Sequence, residues 1–65
     1  MENKMPYQTN ETIYFLDGSY WCQGKVDHCY RSTNGTMCIH LYNGRNVYAI
    51  DTMSVKEYWE YRRNV

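Results

Sequence analysis

The chain has 65 residues with seven basic and seven acidic side chains, so its formal charge is zero, and eleven residues are aromatic, eight of them tyrosine. This length accommodates one small domain, and the charge balance disfavours both a strongly basic nucleic-acid module and an acidic DNA mimic. Near-neutral charge favours self-association, so a homodimer is one expectation.

The first ten residues are polar and include Pro6, which predicts a flexible tail or a lead-in segment docked through Tyr7. The sequence contains no charged-then-apolar leader and no apolar run of membrane-spanning length. Its three cysteines offer no paired disulfide framework. We therefore expect a cytoplasmic protein with no membrane partner.

Three turn dipeptides, Asp17-Gly18, Asn34-Gly35 and Asn43-Gly44, divide the next part of the chain. Asn-Gly and Asp-Gly are typical of two-residue hairpin turns in which both residues have positive φ. The flanking segments are rich in Tyr, Ile, Val, Thr and Trp, which favour strands. The predicted strands are Thr12–Leu16, Ser19–Arg31, Thr36–Tyr42 and Val47–Ile50, with Gly24 marking a bend in the second.

A two-residue turn centred on Asn34-Gly35 predicts a definite strand register, in which Cys29 lies opposite His40 and His28 opposite Leu41. Alternation along the two strands then separates an apolar face from a polar one. The predicted core face comprises Val26, His28, Tyr30, Met37, Ile39 and Leu41. The predicted core residues are Ile13 or Phe15, together with Val26, Ile39, Leu41 and Val47.

The period of the pattern changes to that of a helix at the C-terminus. Ser54 with Glu57 three residues later predicts a capping box. The apolar stripe that follows predicts docking through Tyr58 and Trp59, with Tyr61 directed away from the barrel. The predicted organisation is a single domain with a lead-in at 1–10, a β-barrel at 11–53 and a helix at 54–64.

Metal binding and catalysis are both disfavoured. The predicted register places Cys29, Cys38 and His40 on one face, but no C-x₂₋₄-C spacing is present, so we expect free thiols, no metal and no cofactor. A catalytic cysteine requires a depressed pKa, commonly at a helix N-terminus, and a substrate cleft. No cysteine begins the predicted helix, and the chain has little volume for a cleft, so we expect no enzyme.

Two binding surfaces remain as alternatives. The first is an aromatic surface for another protein, because Tyr and Trp are frequent anchors of protein contacts. Its predicted members are Tyr14, Trp21, Tyr42, Tyr48 and Tyr61. The second is a nucleic-acid surface in which cations contact phosphates beside stacking aromatics. Its predicted cations are Lys25, Arg31 and Arg45, and zero net charge makes it the less favoured alternative.

The stretch from Tyr14 to Val55 resembles the Tudor-type, SH3-like small barrel. The resemblance is carried by Tyr14-Phe-Leu-Asp-Gly18, Tyr20-Trp-Cys-Gln-Gly-Lys-Val26, Ile39-His-Leu-Tyr-Asn-Gly44, Val47–Ile50 and a closing Val55. It implies a mostly-β, antiparallel barrel of four to five strands with a short C-terminal α-helix.

Tudor domains capture methylated Lys or Arg in an aromatic cage. At the matching positions this chain keeps Tyr14 and Tyr42 but has Cys22 and either Gly44 or Arg45 in place of the other aromatics. The resemblance therefore implies the fold rather than methyl-mark recognition. Free-standing domains of this kind are typical of phage or mobile-element proteins that block a host factor. The expected function is thus a small intracellular protein-binding module acting as a steric inhibitor.

Overall fold

The computed structural model describes residues 6–64, which form five strands, a 3₁₀ turn and one helix. These are β1 (Thr12–Asp17), β2 (Tyr20–Arg31), β3 (Met37–Leu41), β4 (Asn46–Tyr48), the 3₁₀ turn Ala49–Asp51, β5 (Thr52–Ser54) and α1 (Val55–Arg63). All pairings are antiparallel, in the order β4-β3-β2-β1-β5, and the sheet curls into a half-barrel. The predicted mostly-β class with a C-terminal helix is confirmed.

The long strand β2 joins the two halves of this sheet. Its first part, 20–25, pairs with β1, and its second part, 26–31, pairs with β3. A β-bulge between Val26 and His28 lies where one pairing gives way to the other. Bulges bend a strand and increase its twist, so the bulge lets one strand serve both halves of a curled sheet.

The β2–β3 and β3–β4 hairpin turns differ from the two-residue turns that the sequence predicted, whereas β1 and β2 are joined by a two-residue loop between Asp17 and Tyr20. At the β2–β3 turn, Gly35 N–H donates to Ser32 O at 2.9 Å, and Ser32 N–H donates to Thr36 O at 2.8 Å. This is a three-residue loop in which only the glycine has positive φ, at 89°. Asn34 instead keeps ordinary φ and accepts a hydrogen bond from Thr36 N–H through its side chain. The Asn43-Gly44 turn repeats this arrangement, with Arg45 N–H donating to Asn43 Oδ1.

The predicted register is therefore wrong. One extra loop residue moves the pairing by one position, so that His28 lies opposite His40 and Cys29 opposite Ile39. The bulge then adds a second shift, which places Val26 opposite Leu41. Beyond the bulge the faces of β2 are exchanged relative to the prediction: His28 is exposed, Tyr30 is half-buried, and Cys29 packs against the core.

The membership of the core is nevertheless confirmed. A single cluster of fully or almost fully buried side chains fills the concave side of the sheet, with Val47 packed against it. The cluster comprises Ile13, Phe15, Val26, Ile39 and Leu41. Val26 stays in the core because the bulge follows it along β2. Ile39 and Leu41 stay in the core because the side chains of β3 alternate as predicted.

Gly24 is required by the packing of this core rather than by a bend. A Cβ at this position would lie 3.0 Å from the ring of Phe15 and 3.1 Å from Leu41, and both neighbours are buried. Replacing glycine in a strand normally gains about 0.5–1 kcal/mol, whereas overpacking a core costs about 1–3 kcal/mol. We expect Gly24→Ala to lower the free energy of unfolding, measured by urea denaturation.

The matched control for this substitution is Phe15→Leu, which removes the ring that the new methyl group would meet. Because the two residues touch, we expect the destabilisation of the double variant to be smaller than the sum of the single effects. Strict additivity would show that the close approach to Phe15 does not limit this position.

Helix α1 begins with the predicted capping box. Glu57 N–H donates to Ser54 Oγ at 3.1 Å, and Ser54 N–H donates to Glu57 Oε1 at 2.9 Å. Tyr58 then docks the helix onto the convex side of the sheet, where its ring stacks on Tyr14 with centroids 3.6 Å apart. The prediction that Trp59 is buried is wrong, since it is 54% exposed and meets Tyr58 at a ring edge.

Residues 6–10 of the lead-in pass along the core side of the half-barrel. The Tyr7 ring packs against the core, and the Tyr7 hydroxyl lies 3.0 Å from Thr52 Oγ1. Burial raises the pKa of this phenol above its ordinary value. The backbone of Asn10 and Glu11 pairs with Val26 beside the bulge. Tyr7 is thus docked, as the sequence suggested.

Candidate binding site on the outer sheet face

The five predicted contact aromatics lie on different elements. Tyr14 is 6% exposed, because Tyr58 covers one face of its ring and its hydroxyl accepts from Gln23 Nε2. Its ring is therefore covered by the helix. Tyr61 is 48% exposed and lies on α1, which packs over β1 and β5. Tyr48 lies on β4, the strand at the opposite edge of the sheet.

Of the remaining predicted aromatics, Trp21 is half-buried on β2 opposite Leu16. Tyr42 is 53% exposed at the β3–β4 turn, where its hydroxyl donates to Asn10 Oδ1 at 2.7 Å. The predicted set is therefore not assembled into one surface. Tyr48, 56% exposed, is the member that lines a pocket.

The three predicted phosphate-binding cations are also separate. Arg45 Nη1 lies 3.1 Å from Asp17 Oδ2, and the guanidinium lies over the ring of Phe15. The charge of Arg45 is therefore paired with that of Asp17, near the start of β2. Arg31, the last residue of β2, donates to Gly35 O at 2.9 Å. Lys25 lies midway along the strand. These cations thus lie near the start, the middle and the end of β2, and the sheet does not present them as one patch.

A pocket does form on the outer face of the second half of the sheet, and we call it the tyrosine groove. Three residues directly opposite one another on β2, β3 and β4 define it: Tyr30, Cys38 and Tyr48. The Cys38 side chain is buried beneath the two tyrosines. The groove has a volume of about 350 Å³, and its remaining lining residues are Ser32, Thr33, Asn34, Asn46 and Val47.

Hydrogen bonds hold one wall of this groove in place. Tyr30 is on β2, and its hydroxyl reaches across β3 to donate to Asn46 Oδ1 on β4 at 3.0 Å. Desolvation and the neighbouring Cys38 thiol raise the pKa of Tyr30 above its ordinary value. On the rim, Ser32 Oγ donates to Asn34 Oδ1. The groove is thus preformed, with polar groups at its rim and a thiol at its base.

The predicted cysteine–histidine face does not exist in this arrangement. Cys29 packs towards the core, whereas Cys38 and His40 lie on the outer face of β3. Within residues 6–64, no three His, Cys, Asp or Glu side chains are grouped as metal ligands would be. All three cysteines are free thiols.

The sequence pattern missed Tyr30 as a site residue, because the predicted register placed it in the core. The signal that could have identified it is Asp27, a charged residue that interrupts β2 where the bulge forms.

Among the described residues 6–64, no helix is long and apolar enough to cross a membrane. No family model, curated protein or solved structure matches this chain.

Proposed function

We propose that this half-barrel is an SH3-like barrel of the Tudor type. The support is the strand order, in which β5 follows a 3₁₀ turn and returns to pair with β1, as in SH3-like barrels. Methyl-mark recognition is not part of the proposal. The matching position Tyr14 is covered by the helix, and Cys22 packs against the core.

We further propose that the domain is a protein-binding module whose contact surface is the tyrosine groove. The observation that carries this proposal is the pair of tyrosines on either side of Cys38, since Tyr is enriched among the residues that dominate protein-binding energy. The groove volume of about 350 Å³ lies at the low end for ligand pockets, which suits one inserted side chain better than a large cofactor.

The groove also adjoins an open sheet edge. β4 pairs with β3 along one side, and no strand among the described residues pairs with its other side. An extended segment of a partner can add to such an edge through backbone hydrogen bonds while its side chains enter adjacent pockets. The proposed action is steric: a partner segment held along β4 is no longer accessible to its own ligands.

The test is affinity capture from cell lysate with quantitative mass spectrometry, followed by measurement of Kd for the captured protein. Tyr48 is largely exposed, so we expect Tyr48→Ala to stay folded. Loss of an interface anchor costs at least about 2 kcal/mol, or about 30-fold in Kd.

The control variant is Tyr20→Ala, which removes a 76% exposed tyrosine at the other end of β2. We expect it to bind like the wild-type protein. Equal losses in both variants, or unchanged binding in Tyr48→Ala, would show that the groove is not the contact surface.

A further inference from the structure

Two histidines lie side by side on the outer face, next to the tyrosine groove. His28 on β2 is directly opposite His40 on β3, and their ring centroids are 5.2 Å apart. The predicted register paired His28 with Leu41, so the sequence pattern did not bring the two rings together. The His28 side chain is 56% exposed, which leaves the pair accessible from solvent.

The hydrogen bond of His40 determines which of its ring nitrogens is free. Its Nδ1 lies 2.9 Å from Asn46 Oδ1. The same oxygen accepts a hydrogen bond from the Tyr30 hydroxyl, so His40 approaches it as an N–H donor. In a neutral imidazole the other nitrogen, Nε2, then carries the lone pair.

His28 has a more distant neighbour. Its Nδ1 lies 3.8 Å from Asp27 Oδ2, beside the bulge. At this distance the two groups form no hydrogen bond, so His40 is the histidine whose Nδ1 is held by a side-chain oxygen. Histidines that bind metals use this arrangement, since an oxygen that accepts from one ring nitrogen orients the ring and makes the other nitrogen a better ligand.

The separation of the two rings also fits one shared ion. Zn²⁺ lies about 2.05 Å from an imidazole nitrogen that binds it. That nitrogen lies about 1.15 Å from the centroid of its own ring, so each centroid is about 3.2 Å from the metal. With a tetrahedral angle of about 109°, two such rings have centroids about 5.2 Å apart. The centroids of His28 and His40 have this separation.

We propose that His28 and His40 bind one divalent transition-metal ion through their Nε2 atoms, with water in the remaining coordination positions. Imidazole ligands suit Zn²⁺, Ni²⁺ and Cu²⁺. Two protein ligands do not make the closed four-ligand set of a structural zinc site, so folding does not depend on this ion. The earlier expectation of no metal concerned such a four-ligand site. The proposal is independent of any protein bound in the tyrosine groove.

The test is isothermal titration calorimetry of the full chain with NiCl₂ and with ZnCl₂. We expect one ion per chain in the wild-type protein and loss of binding in both His28→Ala and His40→Ala. Asn46→Ala keeps both histidines and removes the oxygen that accepts from His40 Nδ1 and from the Tyr30 hydroxyl, and we expect it to weaken binding about 10- to 100-fold. Circular dichroism of each variant verifies that the fold is kept.

The three free cysteines are competing ligands, so the site is also probed with Co²⁺. Thiolate ligation produces a strong charge-transfer absorption band that imidazole ligation lacks. We expect no such band, and we expect Cys38→Ala to bind like the wild-type protein. The proposal is overturned by a thiolate band, by unchanged binding in His28→Ala, or by no detectable binding in the wild-type protein.

Discussion

Tyr58→Ala is expected to leave the domain largely unfolded. Tyr58 is 9% exposed and is the buried residue of α1. Its ring stacks on the ring of Tyr14, with centroids 3.6 Å apart. The Arg62 guanidinium lies over the Tyr58 ring and donates to the Tyr58 hydroxyl at 2.8 Å. Truncating a buried aromatic costs about 3–5 kcal/mol. A core of this size supplies about 3–5 kcal/mol of stability in total. The measurement is urea denaturation followed by far-UV circular dichroism.

Two control variants separate the buried ring from its surroundings. Tyr58→Phe keeps the stack on Tyr14 and loses only the hydroxyl bonded to Arg62, so we expect it to remain folded. Trp59→Ala removes a half-exposed ring that meets Tyr58 at its edge, and such a contact contributes about 0.5–1.5 kcal/mol. If Trp59→Ala were the more damaging of the two alanine variants, Trp59 and not Tyr58 would be the main anchor of the helix.

Ile39→Ala is expected to have a similarly large effect from the other side of the sheet. Ile39 is fully buried and lies between Cys29 on β2 and Val47 on β4, at the centre of the second half of the barrel. Removing three carbons from a buried isoleucine costs about 2–5 kcal/mol, because the small core cannot close the cavity. We expect the variant to lose the dispersion of its amide NMR spectrum and most of its unfolding free energy.

The matched control for this prediction is Met37→Ala on the same strand. Met37 shares the concave face of β3 with Ile39, but it lies at the end of the strand and is only half-buried. We expect a smaller loss of unfolding free energy than for Ile39→Ala. Equal losses in the two variants would mean that the core does not centre on Ile39.

The first four strands and the helix could be predicted because their signals are local, whereas the predicted strand Val47–Ile50 in fact ends at Tyr48, and the 3₁₀ turn Ala49–Asp51 and β5 were not predicted. Turn dipeptides separate the strands, and Ser54 with Glu57 marks the start of the helix within four residues of sequence. The core was predictable for a related reason. Ile13, Phe15, Ile39 and Leu41 alternate along their own strands, and an error in pairing one strand with another does not change which side they face.

The candidate site could not be predicted in the same way, because it depends on relations between strands. A two-residue and a three-residue loop are both compatible with Asn34-Gly35, yet they differ by one position in register. The three-residue loop exchanges the faces of β2 from His28 to Arg31, and the bulge exchanges them back at Val26. Tyr30 and His28 therefore lie on the outer face, where they form the tyrosine groove and the histidine pair, and not in the core.

The sequence by itself determined the mostly-β class, the positions of the turns, the capping box and the membership of the core. Only the tertiary structure decided the register, the place of the bulge, and the choice of Tyr58 over Trp59 as the helix anchor. The physical reason is the range of the interactions involved. These turn and cap hydrogen bonds join residues two or three apart, whereas the contact that docks the helix joins Tyr14 to Tyr58.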